Sequence, residues 1–254
     1  GGAGGCSAVK CGMLTEQYRM HPAISRWPRQ RFYAADEFTS VFATGVAAGN
    51  GRQGGSVAAL RDAALVQSRP PWPAPICTKP PAVAGCLGPW AFIDCDSGQE
   101  RGGGGTSLSN ASEAALVAEL VAHLGTVRGA FRGGRSCVVI TFYSAQTAAI
   151  TAALRAARVP SRWCVRVSTV DSFQGSEADI VILSFVRANA RGSTGFLGEF
   201  RRLNVAVTRA RHALLMVGHA ATLARANSAA AGIGADVQQQ KHANDLAKLV
   251  QAAR

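Results

Sequence analysis

Lysine and acidic residues are scarce in this 254-residue chain. Its 27 lysines and arginines outnumber its 15 aspartates and glutamates, which gives a formal net charge of +12 at pH 7. Lysine occurs only at positions 10, 79, 241 and 248, so arginine carries most of the charge. Because a guanidinium pairs with phosphate through two parallel hydrogen bonds, the charge favours a nucleic-acid partner and argues against an acidic binding module. A compositional bias, in a chain also rich in alanine and glycine, would give the same charge.

Long apolar runs and metal-binding patterns are also missing. A membrane-spanning helix needs about 20 apolar residues, whereas the most apolar stretch, residues 114–124, is interrupted by Glu119 and His123. The seven cysteines form no C-x-x-C pair, and no histidine completes a zinc pattern. The sequence therefore predicts a soluble intracellular protein, cytoplasmic or nuclear, that contacts no membrane and provides no metal site of its own.

Short apolar segments alternate with segments of helical periodicity from Trp90 onward. The pattern predicts strands over residues 91–94, 137–141, 164–169, 179–184 and 213–218, and helices over residues 110–124, 144–157, 200–211 and 239–253. Ser109 or Asn110 can cap the helix over 110–124, and Glu113 suits its start. Apolar strands that alternate with helices predict an α/β fold, in which a mainly parallel sheet has helices on both faces. Such sheets bind ligands at the carboxyl ends of their strands.

A shorter helix is predicted near the start of the chain. Pro22 suits the first turn of a helix, because its missing N–H has no partner there in any case. Pro28 and the following pair Phe32 and Tyr33 predict that this helix stops early.

Four polar motifs accompany these predicted elements. In chain order they are TEQYRMHP (15–22), TFYSAQ (141–146), STVDSFQGSEAD (168–179) followed by SFVR (184–187), and GFL (195–197) followed by RRLNVAVTRAR (201–211). In this order and spacing they resemble the second RecA-like motor domain of superfamily 1 helicases. Within that superfamily they resemble the branch that includes the nonsense-mediated-decay RNA helicase and senataxin.

The resemblance implies a division of the chain into segments. Residues 14–43 begin the second RecA-like helicase domain, and residues 89–225 complete it. Between them, residues 44–88 form an insertion rich in alanine, glycine and proline. Residues 1–13 are expected to be a flexible N-terminal segment, and residues 226–254 a C-terminal helical tail.

Two arginines are the predicted catalytic residues. A guanidinium can stabilise the charge that develops on a transferring phosphoryl group. Arg209 and Arg211 lie two residues apart at the end of a predicted helix. The resemblance implies that Arg209 is the arginine finger at the γ-phosphate of ATP, and that Arg19 contacts the same phosphate. Without the resemblance, Arg209 and Arg211 indicate only the solvated basic face of a surface helix.

Tyr18, Gly175 and Glu177 complete the predicted ATP site. The Tyr18 ring can stack on a purine, and glycine permits a close approach of the backbone to a ligand. The resemblance implies that Tyr18 stacks on adenine, and that Gly175 and Glu177 contact the nucleotide and couple it to the strand-binding surface. The alternatives are packing at a helix start for Tyr18 and a surface loop carboxylate for Glu177.

Thr141, Tyr143 and Thr169 are the predicted nucleic-acid contacts. They lie at or just after the ends of two predicted strands. Hydroxyl groups and nearby backbone amides hold phosphates without sequence preference. Tyr143 is either a stacking platform for a base or a core residue. The motifs do not distinguish single-stranded RNA from single-stranded DNA.

A phosphate loop of the form G-x-x-x-x-G-K-[ST] is absent from the sequence, as is an acidic pair for magnesium before Tyr18. In the helicases that the chain resembles, both belong to the first motor domain. The resemblance therefore implies a fragment of an ATP-dependent helicase, whose first RecA-like domain lies upstream and holds most of the Mg2+ site. The isolated fragment would be inactive. The alternative is an inactive helicase-like module that binds nucleic acid without ATP turnover.

Overall fold

Five parallel strands form the central sheet. The computed structural model describes residues 16–33, 61–62, 76–78, 85–102, 107–126, 130–131, 134–229 and 237–253. In chain order the strands of the sheet are β1 (Trp90–Asp94), β2 (Cys137–Thr141), β3 (Val165–Thr169), β4 (Ala178–Ser184) and β5 (Ala210–Gly218). They are hydrogen-bonded in the order β1-β5-β4-β2-β3, and every neighbouring pair is parallel. The predicted parallel sheet is confirmed.

Helices cover both faces of this sheet. They are α1 (Pro22–Phe32), α2 (Ala111–Thr126), α3 (Ser144–Ala156), α4 (Phe200–Val207), α5 (Ala220–Ala229) and α6 (Val237–Ala253). Buried side chains of α2 and α3 share one apolar cluster, and those of α1, α4, α5 and α6 share the other. The predicted α/β architecture, with helices on both faces, is therefore confirmed.

Strand β2 is apolar from Cys137 to Ile140 because both faces of the sheet are covered there. Val138 and Ile140 of β2 point into the cluster with α1, whereas Cys137 and Val139 point into the cluster with α2. All four side chains are at most 1% exposed. Successive side chains of a strand alternate between faces, so a strand covered on both sides has no position for a polar residue.

Two helices have ends that can be compared with the expected ones. Helix α1 begins at Pro22, as predicted, but continues through Pro28 and ends at Phe32. Helix α4 ends at Val207, whereas the sequence predicted a helix that reaches residue 211. The reason is that Ala210 already pairs with Ala178 in the sheet.

Part of the predicted organisation lies outside the described residues. This applies to the N-terminal segment, residues 1–13, and to most of the insertion, residues 44–88. Two short strand pairs involve described residues of this insertion: Arg61–Asp62 pairs with Glu16–Gln17, and Ile76–Thr78 pairs with Gly85–Leu87. Among the described helices, none has the length and apolar character needed to cross a membrane.

The C-terminal helix α6 belongs to the core. Its side chains Leu246, Leu249 and Val250 are at most 4% exposed and lie in the same cluster as α1. Asp245 of α6 forms an ion pair with Arg31 of α1, and the side chains of the two are 2% and 14% exposed. The segment predicted as a helical tail therefore contributes part of the apolar cover of the sheet.

Replacing Asp245 with alanine is expected to lower the free energy of unfolding by about 3 kcal/mol, because Arg31 would keep its buried charge and lose this carboxylate. Urea unfolding followed by tryptophan fluorescence measures the change. The matched control is Glu199→Ala, whose carboxylate pairs with Arg202 and is 53% exposed; its effect should stay below about 1 kcal/mol. Equal effects of the two variants would contradict a structural role for the buried pair.

Candidate functional site

Arg19, Glu177, Arg209 and Arg211 converge at the amino-terminal ends of β4 and β5. Glu177 directly precedes β4 and Arg209 directly precedes β5, and the N–H of Ala178 donates to the carbonyl of Arg209 at 3.1 Å. The residues of the predicted ATP site were expected at the carboxyl ends of the strands. The structure corrects this expectation, since these four lie at the opposite edge of the sheet.

The Glu177 carboxylate connects the first motif to the last. It accepts a hydrogen bond from Nε of Arg19 and one from Nε of Arg211 at 2.7 Å. The hydrogen bond from Arg19 is the main cause that lowers the pKa of Glu177 below its ordinary value, and Arg211 adds to the effect. Glu177 is therefore a partly exposed loop carboxylate that is ion-paired with two arginines.

Arg19 is held in place from two sides. Its Nη1 donates to the carbonyl of Thr208 at 3.0 Å. Its backbone N–H donates to Oε1 of Gln17 at 3.1 Å, and the same oxygen accepts the N–H of Met20 at 2.8 Å. The backbone turn that presents Arg19 is thus closed by the buried side chain of Gln17. Gln17 was not identified from the sequence, although its place in the first motif was the available signal.

Arg209 lies in the short segment between α4 and β5 rather than on a helix. Its Nε donates to the carbonyl of Val205 at 2.8 Å, and its Nη1 donates to the carbonyl of Ser176 at 3.2 Å. Burial lowers the pKa of Arg209, and the nearby charge of Arg19 lowers it further. Arginine stays protonated even so. The guanidinium is therefore held as a charged group close to a second positive charge.

Tyr18 and Gly175 flank this group of charges. The Tyr18 side chain is 59% exposed, and its hydroxyl donates to Oε2 of Glu16 at 2.6 Å, which raises its pKa. Because α1 starts only at Pro22, Tyr18 does not pack at a helix start. Gly175 has a φ of 82°, a left-handed conformation that glycine adopts without strain.

The charges around Glu177 suit an anionic ligand. Arg19 and Arg211 form ion pairs with the Glu177 carboxylate, and Arg209 lies close enough to interact with Glu177 and Arg19 through their charges. The surplus of positive charge, beside an exposed aromatic ring, fits a phosphate group attached to a planar base. The side chains present are therefore compatible with one wall of an ATP site.

The predicted nucleic-acid residues lie at the carboxyl edge of the sheet. Thr169 ends β3, and its hydroxyl accepts the N–H of Ser172 at 3.3 Å and hydrogen-bonds the Ser172 hydroxyl at 2.9 Å. Thr141 ends β2 and is 0% exposed. Tyr143 is 3% exposed, and its hydroxyl accepts a hydrogen bond from Arg187 at 3.4 Å. Stacking of a base on Tyr143 is thus contradicted, and the residue packs in the interior.

The third motif connects the two edges of the sheet. Thr169 is at the carboxyl end of β3, and Glu177 is at the amino end of β4. The intervening residues cross one face of the sheet, where Phe173 is 2% exposed in the cluster with α1. The middle of this segment is therefore anchored in the core, between the two edges of the sheet.

Sequence reasoning missed a second carboxylate, Glu113. It was expected near the start of its helix in a capping role, and Asn110 does cap that helix by accepting the Glu113 N–H at 3.1 Å. The Glu113 side chain, however, is 0% exposed and accepts hydrogen bonds from Ser184 and Val186. The available signal was its spacing of four residues from Val117, which places it on the apolar face of α2.

A family model described as an AAA domain matches residues 5–221, and the chain belongs to this family. Regulator of nonsense transcripts 1 from Dictyostelium discoideum is 33% identical over 218 residues, which are 84% of this chain and 14% of that protein. Probable helicase MAGATAMA 3 from Arabidopsis thaliana is 31% identical over 83% of this chain and 22% of its own length. Human probable helicase senataxin is 31% identical over 83% of this chain and 6% of its own length.

The expected resemblance to superfamily 1 helicases is thereby confirmed. The chain is a helicase-family domain with a RecA-like α/β fold, similar to regulator of nonsense transcripts 1 and to senataxin. It spans less than a quarter of the length of each of these three relatives.

Replacing Glu177 with glutamine is expected to lower the free energy of unfolding by about 1 kcal/mol at pH 7. Because the folded-state pKa of Glu177 is lowered, its contribution is present above the unfolded pKa of about 4.3 and is lost as the pH falls through the folded value. The difference between wild type and variant should therefore shrink below about pH 4.3. Urea unfolding between pH 3 and 7 measures this difference in unfolding free energy.

The control for this experiment is Glu119→Gln, which removes an exposed carboxylate from α2. It should change the unfolding free energy by less than about 0.5 kcal/mol at every pH. A constant difference for Glu177→Gln across the pH range would contradict an ion-paired carboxylate at position 177.

Proposed function

We propose that this chain is the second motor domain of an ATP-dependent helicase that acts on single-stranded RNA or DNA. The observation that carries the proposal is a group of three arginines around Glu177. Arg19, which is far from the others in sequence, and Arg211 pair with the Glu177 carboxylate, and Arg209 lies close by. Structural packing alone does not require three guanidinium groups around one carboxylate. Phosphoryl transfer does use such groups, because negative charge develops on the transferred group.

Arg209 is proposed as the arginine finger and Arg19 as a second contact to the γ-phosphate. When bound, ATP supplies the phosphoryl group that is transferred to water. Glu177 would orient Arg19 and Arg211 through its two oxygens, and Tyr18 would offer its exposed ring to the adenine. Gly175 would leave room for the nucleotide, because it has no side chain beyond its Cα.

The other wall of the ATP site is proposed to come from a first RecA-like domain in the same full-length protein. The sequence contains no phosphate loop. Within the described part of the chain, no three histidine, cysteine, aspartate or glutamate side chains form a group that could hold a metal ion. We therefore assign most of the magnesium site to that domain, and we expect no ATP turnover by the isolated chain.

The strand-binding surface is proposed to lie at the carboxyl edge, around Thr169. The hydroxyl and backbone amides near Thr169 and Ser172 can hold a phosphate without reading the base. The segment between Thr169 and Glu177 then joins the strand to the nucleotide site. Thr141 is buried and would contribute only if the edge opens on binding.

A module that binds nucleic acid without turnover is the second candidate. Its supporting observation is the net charge of +12, which suffices for non-specific binding. The ion-paired cluster around Glu177 argues against it, because a pure binder needs no phosphate sensor. The codons upstream of Gly1 discriminate between the two: a phosphate loop in frame supports the motor, and a stop codon close upstream supports the binder.

In a protein that carries both motor domains, Arg209→Ala is expected to lower kcat for ATP hydrolysis by about 1,000-fold. Single-strand affinity should be unchanged, because Arg209 lies at the edge of the sheet opposite to Thr169. The matched control is Arg201→Ala, which removes an exposed arginine from the nearby helix α4 and should leave kcat within about twofold. Steady-state phosphate release measures kcat for the wild type and for the two variants.

Two results would contradict this assignment. One is a kcat for Arg209→Ala equal to that of the Arg201→Ala control. The other is ATP turnover by the isolated 254-residue chain that Arg209→Ala abolishes, since the chain would then contain a complete site.

The isolated chain is expected to bind a labelled single strand weakly and with a steep dependence on salt, with several phosphates neutralised on binding. Thr169→Ala should weaken binding by about threefold to tenfold, the loss expected for one phosphate hydrogen bond. The control is Thr151→Ala, which removes a hydroxyl that donates within α3 to the carbonyl of Thr147. Fluorescence anisotropy between 50 and 300 mM salt measures the affinities. Equal losses for the two variants would remove Thr169 from the proposed surface.

A further inference from the structure

Glu113 is a carboxylate enclosed by the fold at the carboxyl edge of the sheet. Its side chain is 0% exposed, and its described partners are neutral donors. Oε1 accepts the Ser184 hydroxyl at 3.0 Å, and Oε2 accepts the Val186 N–H at 2.8 Å. Burial raises the pKa of Glu113 to about 7, while these hydrogen bonds act in the opposite direction. A buried carboxylate is costly unless hydrogen bonds satisfy its oxygens, and Ser184 and Val186 provide them here.

The group that it holds is a tight turn at the end of β4. Val186 has a φ of 71°, and the N–H of Arg187 donates to the carbonyl of Phe185 at 2.8 Å. This is a γ-turn with a positive φ at its centre, which is rare and strained. A β-branched residue such as valine increases the backbone strain, because its side chain crowds the backbone in the left-handed region.

Glu113 and Asn110 fix both polar groups of the strained residue. Glu113 accepts the Val186 N–H, and Nδ2 of Asn110 donates to the Val186 carbonyl at 3.2 Å. Nε2 of Gln146 donates to the backbone carbonyl of Asn110 at 3.2 Å and to the Ser184 hydroxyl at 3.2 Å. The start of α2, the start of α3 and the end of β4 thus share one buried network.

The turn determines where Arg187 points. Its Nε lies 3.0 Å from Oε2 of Glu100, and its Nη1 lies 3.4 Å from the Tyr143 hydroxyl. A Cβ atom on Gly195 would lie only 2.8 Å from Nη1 of Arg187 and 3.0 Å from the Tyr143 hydroxyl. The guanidinium therefore packs directly against the backbone at Gly195, and it joins this segment to the residues that follow β2.

We propose that Glu113 is a positioning residue that holds the Val186 turn, and thereby Arg187 and the carboxyl edge, in the geometry that binds the nucleic-acid strand. That a nucleic-acid strand binds at this edge rests on the proposed function. The role of Glu113 in holding the turn can be tested without nucleic acid. Glu113 does not touch the strand. It acts because the strained turn at Val186 is stable only while its N–H and carbonyl are both held.

The proposed role of Glu113 predicts a specific effect of a substitution at Val186. If Glu113 serves to hold a residue against backbone strain, removing the strain should remove the need for Glu113. Glycine adopts a positive φ freely, so Val186→Gly should restore what Glu113→Gln loses. A residue that merely contributes to the stability of the core would not be rescued in this way.

The test compares wild type, Glu113→Gln, Val186→Gly and the double variant of the 254-residue chain, with Glu119→Gln as the control on the same helix. Affinity for a labelled poly-uridine strand is expected to fall about tenfold in Glu113→Gln and to recover to within about threefold of wild type in the double variant. Hydrogen exchange at the Arg187 amide, which every variant retains, should accelerate in Glu113→Gln and slow again in the double variant.

The outcomes separate this proposal from the proposed function. An Arg187 amide that exchanges equally in wild type and in Glu113→Gln overturns the role of Glu113, as does a double variant that exchanges no slower than Glu113→Gln. A wild-type chain that binds no strand, with the exchange pattern as expected, overturns the strand-binding surface and leaves the turn established. Should Glu113→Gln fail to fold, Glu113→Asp, which is one methylene shorter, takes its place with the same expected pattern.

Discussion

The common direction of the five strands is the constraint on which the rest of the structure depends. Because every strand runs parallel, the sheet has one edge of amino ends and one edge of carboxyl ends. The arginines around Glu177 lie at the first edge and Thr169 at the second. The segment from Thr169 to Glu177 is a direct covalent connection between them, and Phe173 anchors its middle in the core.

Two carboxylates illustrate how differently the same side chain behaves at these edges. Glu177 is partly exposed and meets arginines, so its pKa is lowered and it stays ionised. Glu113 is buried, and this burial raises its pKa to about 7 although the hydrogen bonds from its described neutral donors act in the opposite direction. The first pairs with arginines at the amino edge of the sheet. The second accepts the N–H of the strained residue Val186, which is itself buried.

Much of the fold could be predicted from the sequence. The apolar segments that became β2 and β4 have no polar interior position, which only a strand covered on both faces allows. The helical spacing in α2 and α3 likewise follows from the need to cover one face. Boundaries were harder to predict where two signals overlapped: Arg209 and Arg211 continue the pattern of α4, but pairing of Ala210 with Ala178 draws the chain into β5 instead.

The sequence alone determined that this is a parallel α/β domain of a helicase family, because those properties depend on residue type and spacing. Only the tertiary structure decided which residues meet. It brought Arg19 to Glu177, moved the arginine cluster to the amino edge, buried Tyr143 and turned Glu113 inward against Val186. These contacts join segments far apart in the chain, and the path of the backbone between such segments depends on the packing of the whole domain rather than on any local pattern.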